Sequence, residues 1–357
     1  MEGPSHFRRR TLIALAAAVA CTGVVGYAIS RPMSIPPQPK PTLGPSATPQ
    51  PTPSTPSVQS APDGFSVAAD PASGQVIVFG GTTGAGNDTW IWTGSKWAEA
   101  APPNEPPAIG YGTGAYDPAL RMVMLAGGES YDASDNDGTW GWNGSTWLEL
   151  DDDTTKPPIG GGTIAWDPAL QEMVMVTGAS PTDDSAETWI WTTNHWVHRV
   201  GTSLFRVDEY LLGYDPSRSA LLAFSCCELL QNDASAETGT RVWSWNGSLW
   251  KPLTSTVNAP AATLFGLCED QTSQRLLLFG QNTDASQVNG SLEPALTWRL
   301  QGREWTQLSG TSAPDVLDGE VIDPANGLRL IGSTPFVGSS TPFHIWAWTG
   351  SGWKLLG

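Results

Sequence analysis

Three kinds of residue in this chain could carry chemistry: clustered loop carboxylates, tryptophans at fixed spacing, and a few cysteines. In Asp132-x-x-Asp135-x-Asp137-Gly138 the carboxylates stand two and three residues apart, the steps by which a loop wraps oxygen ligands around calcium. The distal glutamate that completes an EF-hand is missing from it. Asp183-Asp184, and Asp233 with Glu237, are sparser clusters of the same kind. A solvated polar loop is the favoured explanation of these residues, and calcium is the only cofactor they suggest.

Seventeen of the 18 tryptophans fall into six groups: Trp90/Trp92/Trp97, Trp140/Trp142/Trp147, Trp189/Trp191/Trp196, Trp243/Trp245/Trp250, Trp298/Trp305 with Leu300 between them, and Trp346/Trp348/Trp353. Indole faces bind sugar rings, so a glycan platform is one reading. Residues two apart on a strand share a face, and the third tryptophan follows a turn, so packing pegs are the other reading. A ligand site rarely recurs in every unit at one spacing, which favours packing.

Past Cys21 the cysteines are Cys226, Cys227 and Cys268. An exported chain permits a disulfide among them, and Cys226 to Cys268 would join neighbouring units. No Gly-x-Ser-x-Gly, His-Glu-x-x-His or phosphate-loop pattern occurs. Carboxylates are abundant, but no arrangement of catalytic residues can be assigned. A secreted lyase or hydrolase acting on carbohydrate is the enzymatic alternative. It would use a central channel, where Asp208, Glu209 and Glu320 are the rare acidic residues.

The elements that hold these residues are repeats. Successive groups end 48 to 55 residues apart, a period that means stacked supersecondary units. The second unit shows the plan. Tyr111 to Tyr116 is a short strand ending at an Asp117-Pro118 turn, and Met122 to Ala126 is an apolar strand closed by Gly127-Gly128. An acidic loop leads to a strand over Thr139 to Trp142, and Asn143-Gly144 signals a hairpin into a strand from Trp147. The turn recurs at Asp70-Pro71, Asp167-Pro168, Asp215-Pro216 and Asp323-Pro324, and decays to Glu269-Asp270. Trp166, the eighteenth tryptophan, precedes its Asp as Tyr116 and Tyr214 precede theirs. Continuously apolar strands need cover on both faces, and sheets stacked around an axis provide it. Residues 63–357 are therefore expected to form an all-β, six-bladed β-propeller.

An apolar strand ending in Gly-Gly, a loop, an aromatic strand, a short turn and a Trp resemble the kelch repeat. The pattern is similar to the central domain of galactose oxidase. The paired glycines survive only at Gly80-Gly81 and Gly127-Gly128, and Trp stands where kelch strands carry Tyr. The resemblance covers about 64–357 in six copies and implies a propeller fold. The copper site of galactose oxidase does not carry over, because His195, His198 and His344 match none of its ligands.

The first 62 residues differ from the rest. Residues 1–10 form a basic segment with Arg8, Arg9 and Arg10. The apolar run over 11–29 approaches the length of a bilayer span and predicts a signal anchor with the remainder outside the cytoplasm. Two alternatives stay open: a lipoprotein signal with Cys21 lipidated, and a cleaved signal peptide. Residues 30–62 are rich in Pro, Thr and Ser and predict a disordered, extended stalk on the order of 100 Å long.

From residue 63 onward 13 Lys and Arg face 34 Asp and Glu, a balance that argues against nucleic acid or anionic lipid as partner. The expected protein is a bacterial, membrane-tethered, non-catalytic module that binds a protein or glycan of the cell envelope. In an up-and-down propeller the long loops share one face, which makes that face the expected binding surface. Asp132, Asp135, Asp137, Asp183 and Asp184 are its candidate residues.

Overall fold

The computed structural model describes residues 64–80, 87–130, 138–151, 155–157, 162–179, 186–204, 210–225, 241–253, 262–270, 273–282, 296–302, 304–308, 319–322, 329–332 and 344–356. The expected membrane segment and stalk lie outside them, with Cys21, Cys226 and Cys227. Among the described residues no helix is long and apolar enough to cross a membrane.

The strands build six four-stranded antiparallel sheets. The first holds β1 (Ser66–Asp70), β2 (Gln75–Phe79), β3 (Thr89–Trp92) and β4 (Trp97–Ala100). β5 (Ile109–Gly110) leads into the second, formed by β6 (Thr113–Asp117), β7 (Met122–Ala126), β9 (Trp140–Trp142) and β10 (Trp147–Glu149). β8 (Glu129–Ser130) pairs with β5 as a separate ribbon. The third holds β11 (Gly162–Asp167), β12 (Glu172–Ala179), β13 (Ala186–Trp191) and β14 (Trp196–Leu204). The fourth holds β15 (Tyr210–Asp215), β16 (Ala220–Ser225), β17 (Arg241–Trp245) and β18 (Trp250–Pro252). The fifth holds β19 (Ala262–Asp270), β20 (Arg275–Asn282), β21 (Leu296–Gln301) and β22 (Glu304–Gln307). The last holds β23 (Gly319–Ile322), β24 (Arg329–Gly332), β25 (His344–Trp348) and β26 (Trp353–Leu355).

Each sheet is a meander in chain order, and the first strands stand side by side. β1 lies beside β6, then β11, β15, β19 and β23 follow, and β23 returns beside β1. Among the described residues no sheet mixes strands from the two ends of the chain, so closure there rests on packing between whole sheets. Ile345 of the last sheet completes it by entering the cluster of Phe65, Val67, Val76, Val78 and Trp92 in the first.

The Asp turns form as their sequence predicts. Oδ1 of Asp117 accepts the amides of Ala119 at 2.7 Å and Leu120 at 3.1 Å, and Asp167 repeats this with Ala169 and Leu170. Each turn ends on a left-handed residue, which is Gly74 in the first sheet and Arg121, Gln171, Ser219 and Gln274 in the next four. At Asp270, where no proline follows, Oδ2 accepts the Ser273 hydroxyl as Asp70 Oδ2 accepts that of Ser73.

The hairpin expected at Asn143-Gly144 forms: Trp142 stands opposite Trp147, and the Asn143 amide donates to the Thr146 carbonyl in the four-residue connection. Only Gly144 takes positive φ, while the Asn143 carboxamide oxygen accepts the amides of Ser145 and Thr146. The side-chain cap thus replaces the tolerance of positive φ that the sequence suggested. The strand expected over Tyr111 to Tyr116 starts at Thr113, because Tyr111 is left-handed (φ 58°) and its amide donates to the Gly64 carbonyl.

The tryptophans are pegs between sheets. Trp142 and Trp147 face each other in register with ring centroids 5.4 Å apart, and Trp191 with Trp196 and Trp245 with Trp250 repeat the pair. The tryptophan that opens the outer strand packs against the preceding sheet, as Trp147 does against Phe79 and Trp353 against Phe279. Its indole N–H donates to a threonine of that sheet: Trp147 to Thr89 at 3.0 Å, Trp196 to Thr139 at 2.8 Å and Trp250 to Thr188 at 2.9 Å, all buried, and Trp353 to Thr297 at 3.2 Å, partly buried. Burying each such ring contributes a few kcal/mol, on the order expected for a large apolar side chain, and the paired N–H removes a desolvation cost.

Candidate functional site

Asp132, Asp135, Asp137, Asp183 and Asp184 lie outside the described residues, as do Asp208, Glu209, Asp233 and Glu237. Glu320 lies on β23, one of the first strands that stand side by side around the ring. Among the described residues no group of three or more His, Cys, Asp or Glu side chains could hold a metal ion. Cys268 sits half-buried on β19, packed with the cluster of Leu277, Phe279 and Trp348.

What the structure adds is the outer rim on the long-loop side. Chain direction fixes this side: first strands end at the Asp turns, so third strands begin at the long loops. The first tryptophan of each group therefore lies nearer the loops than the second. Register gives it a partner on the outermost strand. Trp90 faces Glu99, Trp140 faces Glu149 and Trp189 faces His198.

The third sheet shows the arrangement in full. Trp189 is buried, and the His198 imidazole stacks on it with centroids 4.6 Å apart and planes 25° from parallel. The Trp189 N–H donates to Glu187 Oε2 at 3.2 Å, and His198 Nε2 stands 3.9 Å from the same oxygen. The imidazole is 37% exposed and the carboxylate 22%, so a flat aromatic layer, a ring nitrogen and an acceptor open together to solvent. Such a set can hold the apolar face of a sugar ring while pairing its hydroxyls.

Glu99, Glu149 and Glu187 were not singled out in the sequence, and His198 was weighed there only as a copper ligand. Their signal is there nonetheless: Glu99, Glu149 and His198 each follow the first tryptophan of their group at one constant distance. A four-residue loop between in-register tryptophans makes that distance a cross-strand pair.

The opposite, short-turn side carries a different pattern. Glu269 occupies the place of Tyr116 and Tyr214, and its carboxyl titrates above the ordinary value because of burial first, then the charges of Asp215 and Asp270. Arg218 answers part of that charge by bonding Asp215, and its other arm donates to the Gly302 carbonyl of the next sheet. Asp167 is raised by burial, against the lowering effect of the amides it caps. These groups join turns to one another.

Ringed meanders closed on themselves define an all-β propeller. The fold is shared with solved structures. Aleuria aurantia lectin bound to Fucα1-6GlcNAc superposes with a TM-score of 0.56 at 13% identity, covering 84% of this chain and 96% of the lectin. AofleA from Arthrobotrys oligospora, as a triple arginine mutant, gives 0.54 at 10% identity over 83% and 85%. A putative gluconolactonase gives 0.51 at 11% identity over 84% and 92%. At these identities the likeness is one of fold alone. No protein-family model and no curated protein matches the sequence.

Proposed function

We propose that the protein is a non-catalytic, glycan-binding module built as a six-bladed, kelch-like propeller. The single observation that carries this is the loop-side rim, where indole edges are lined by Glu99, Glu149, Glu187 and His198. Its support is the same fold in lectins whose structures hold fucosides. In this reading residues 11–29 anchor the chain in a bacterial membrane, residues 30–62 extend the ring outward, and the ligand is a glycan of the cell envelope. Asp132, Asp135 and Asp137, in the sequence that joins β8 to β9, are candidate calcium ligands in the same reading.

The test is a glycan array probed with the full chain in detergent, with calcium and with chelator. Binding is expected, and His198→Ala or Glu187→Ala should weaken it by about tenfold, the loss of one good hydrogen bond or stacked ring. A wild-type chain that binds no glycan under either condition overturns the proposal.

A further inference from the structure

The register sets a different partner beside the first tryptophan of each group: Glu99, Glu149, His198, Pro252, Gln307 and Leu355 around the ring. Histidine occurs there once, and it is the side chain whose ordinary titration falls between about pH 5 and about pH 8. The ring of His198 lies on Trp189, and its Nε2 stands 3.9 Å from Glu187 Oε2, the oxygen that accepts the Trp189 N–H.

The other charges near His198 divide by face. From the second sheet, Thr139 and Leu150 pack on the same face through Trp196 and its cluster. The charges beside them, Asp151 and Lys156, pair with each other at 3.9 Å. Arg199 lies on the opposite face, across from Thr188, where the Trp250 N–H enters from the fourth sheet. The alternation that brings Trp250 toward the third sheet turns Lys251 away from it. His195 sits in the hairpin loop beside Asn194. Among the described residues, Glu187 is therefore the charge that faces the His198 ring.

A gap of 3.9 Å is longer than a hydrogen bond, yet one ligand hydroxyl reaches both sides of it at about 2.8 Å. It accepts Nε2–H from a neutral ring and gives its own hydrogen to Glu187. Protonation changes which contact is stronger. An imidazolium over the indole gains a cation–π attraction that keeps it in place, and its Nε2–H then bonds straight to the carboxylate with the help of both charges. Closing the two partly exposed side chains by about 1 Å makes that bond, which takes up the donor and the acceptor that the hydroxyl used.

We propose that His198 is a proton switch on the third-sheet site: its charged ring pairs with Glu187 and closes the site, so that a glycan held near neutral pH is released in acid. The switch rests on the glycan-binding reading and adds its regulation. The liganded site holds fewer protons than the unliganded one. Affinity is therefore full above the histidine range and falls as pH drops through it, by at most about tenfold per pH unit.

The experiment probes the glycan array with the full chain in detergent at about pH 7.5 and about pH 5. Wild type should lose about tenfold in affinity between the two. His198→Phe keeps a stacked ring without the proton; it should bind more weakly at both values, with their ratio near one. Glu187→Gln keeps an acceptor for the Trp189 N–H without the charge and should flatten the ratio likewise. His195→Asn should retain the wild-type ratio. Without any ligand, the Trp189 indole N–H resonance, assigned with Trp189→Phe, should move through the histidine range in wild type and stay still in His198→Phe. Affinity that is equal or higher in acid, or a pH ratio that survives His198→Phe, overturns the switch and leaves the glycan reading standing. A chain that binds no glycan at either pH overturns both.

Discussion

Charge decides how single residues behave at the short-turn side. Glu269 and Asp167 both hold their protons more tightly in the fold than in a free chain, because burial disfavours their charged forms. Between the ordinary carboxyl value and the raised one, the native state therefore binds more protons than the unfolded state. Stability from these two groups is greatest below that window and falls as pH rises through it. Glu269→Gln removes the charge that Asp215 and Asp270 oppose. Its melting temperature should exceed wild type at pH 7, with the gap closing toward pH 4, as thermal unfolding monitored across pH will show. An equal gap at both pH values would assign the effect to packing instead.

At the scale of the element, the peg between sheets is the unit that recurs. Four outer tryptophans donate to a threonine of the preceding sheet, but the fourth sheet has Val242 at the threonine place. Trp305 accordingly packs on Phe224 with its N–H buried and without an acceptor. Val242→Thr should restore the bond and raise stability by about 1 kcal/mol, whereas Thr188→Val should strand the Trp250 N–H and cost about 1–3 kcal/mol. Urea midpoints at constant m-value measure both. This element was largely legible in the sequence, since tryptophan spacing set the period and Asp-Pro marked the turns. The threonine before the first tryptophan was in plain view too, but its role depends on which sheet faces which. Glu149 and His198 were hidden for a similar reason: their importance lies in a cross-strand register that the four-residue loop fixes, and a two-residue hairpin would have paired other residues.

For the whole molecule, closure without a shared strand makes the last sheet both a blade and a clasp. Trp353 ties it to the fifth sheet through Phe279 and Thr297, and Ile345 ties it to the first. Deleting residues 351–357 removes Trp353, so the chain should lose its single cooperative transition or melt well below wild type. A barely changed melting curve would show that closure does not depend on this sheet. The six-unit count and the ordering of sheets came from the sequence alone; the polar rim on one side of the ring needed the coordinates.

The chain enters the ring at β1, the innermost strand, and enters it from the loop side, where Gly64 meets Tyr111. If residues 11–62 tether the ring as proposed, a pull along them would act near the hub rather than at the circumference, and the disc would hang like a parasol from its handle. The loop side would then be turned back toward the anchoring surface, and ligands reached in that posture would be those lying between the two.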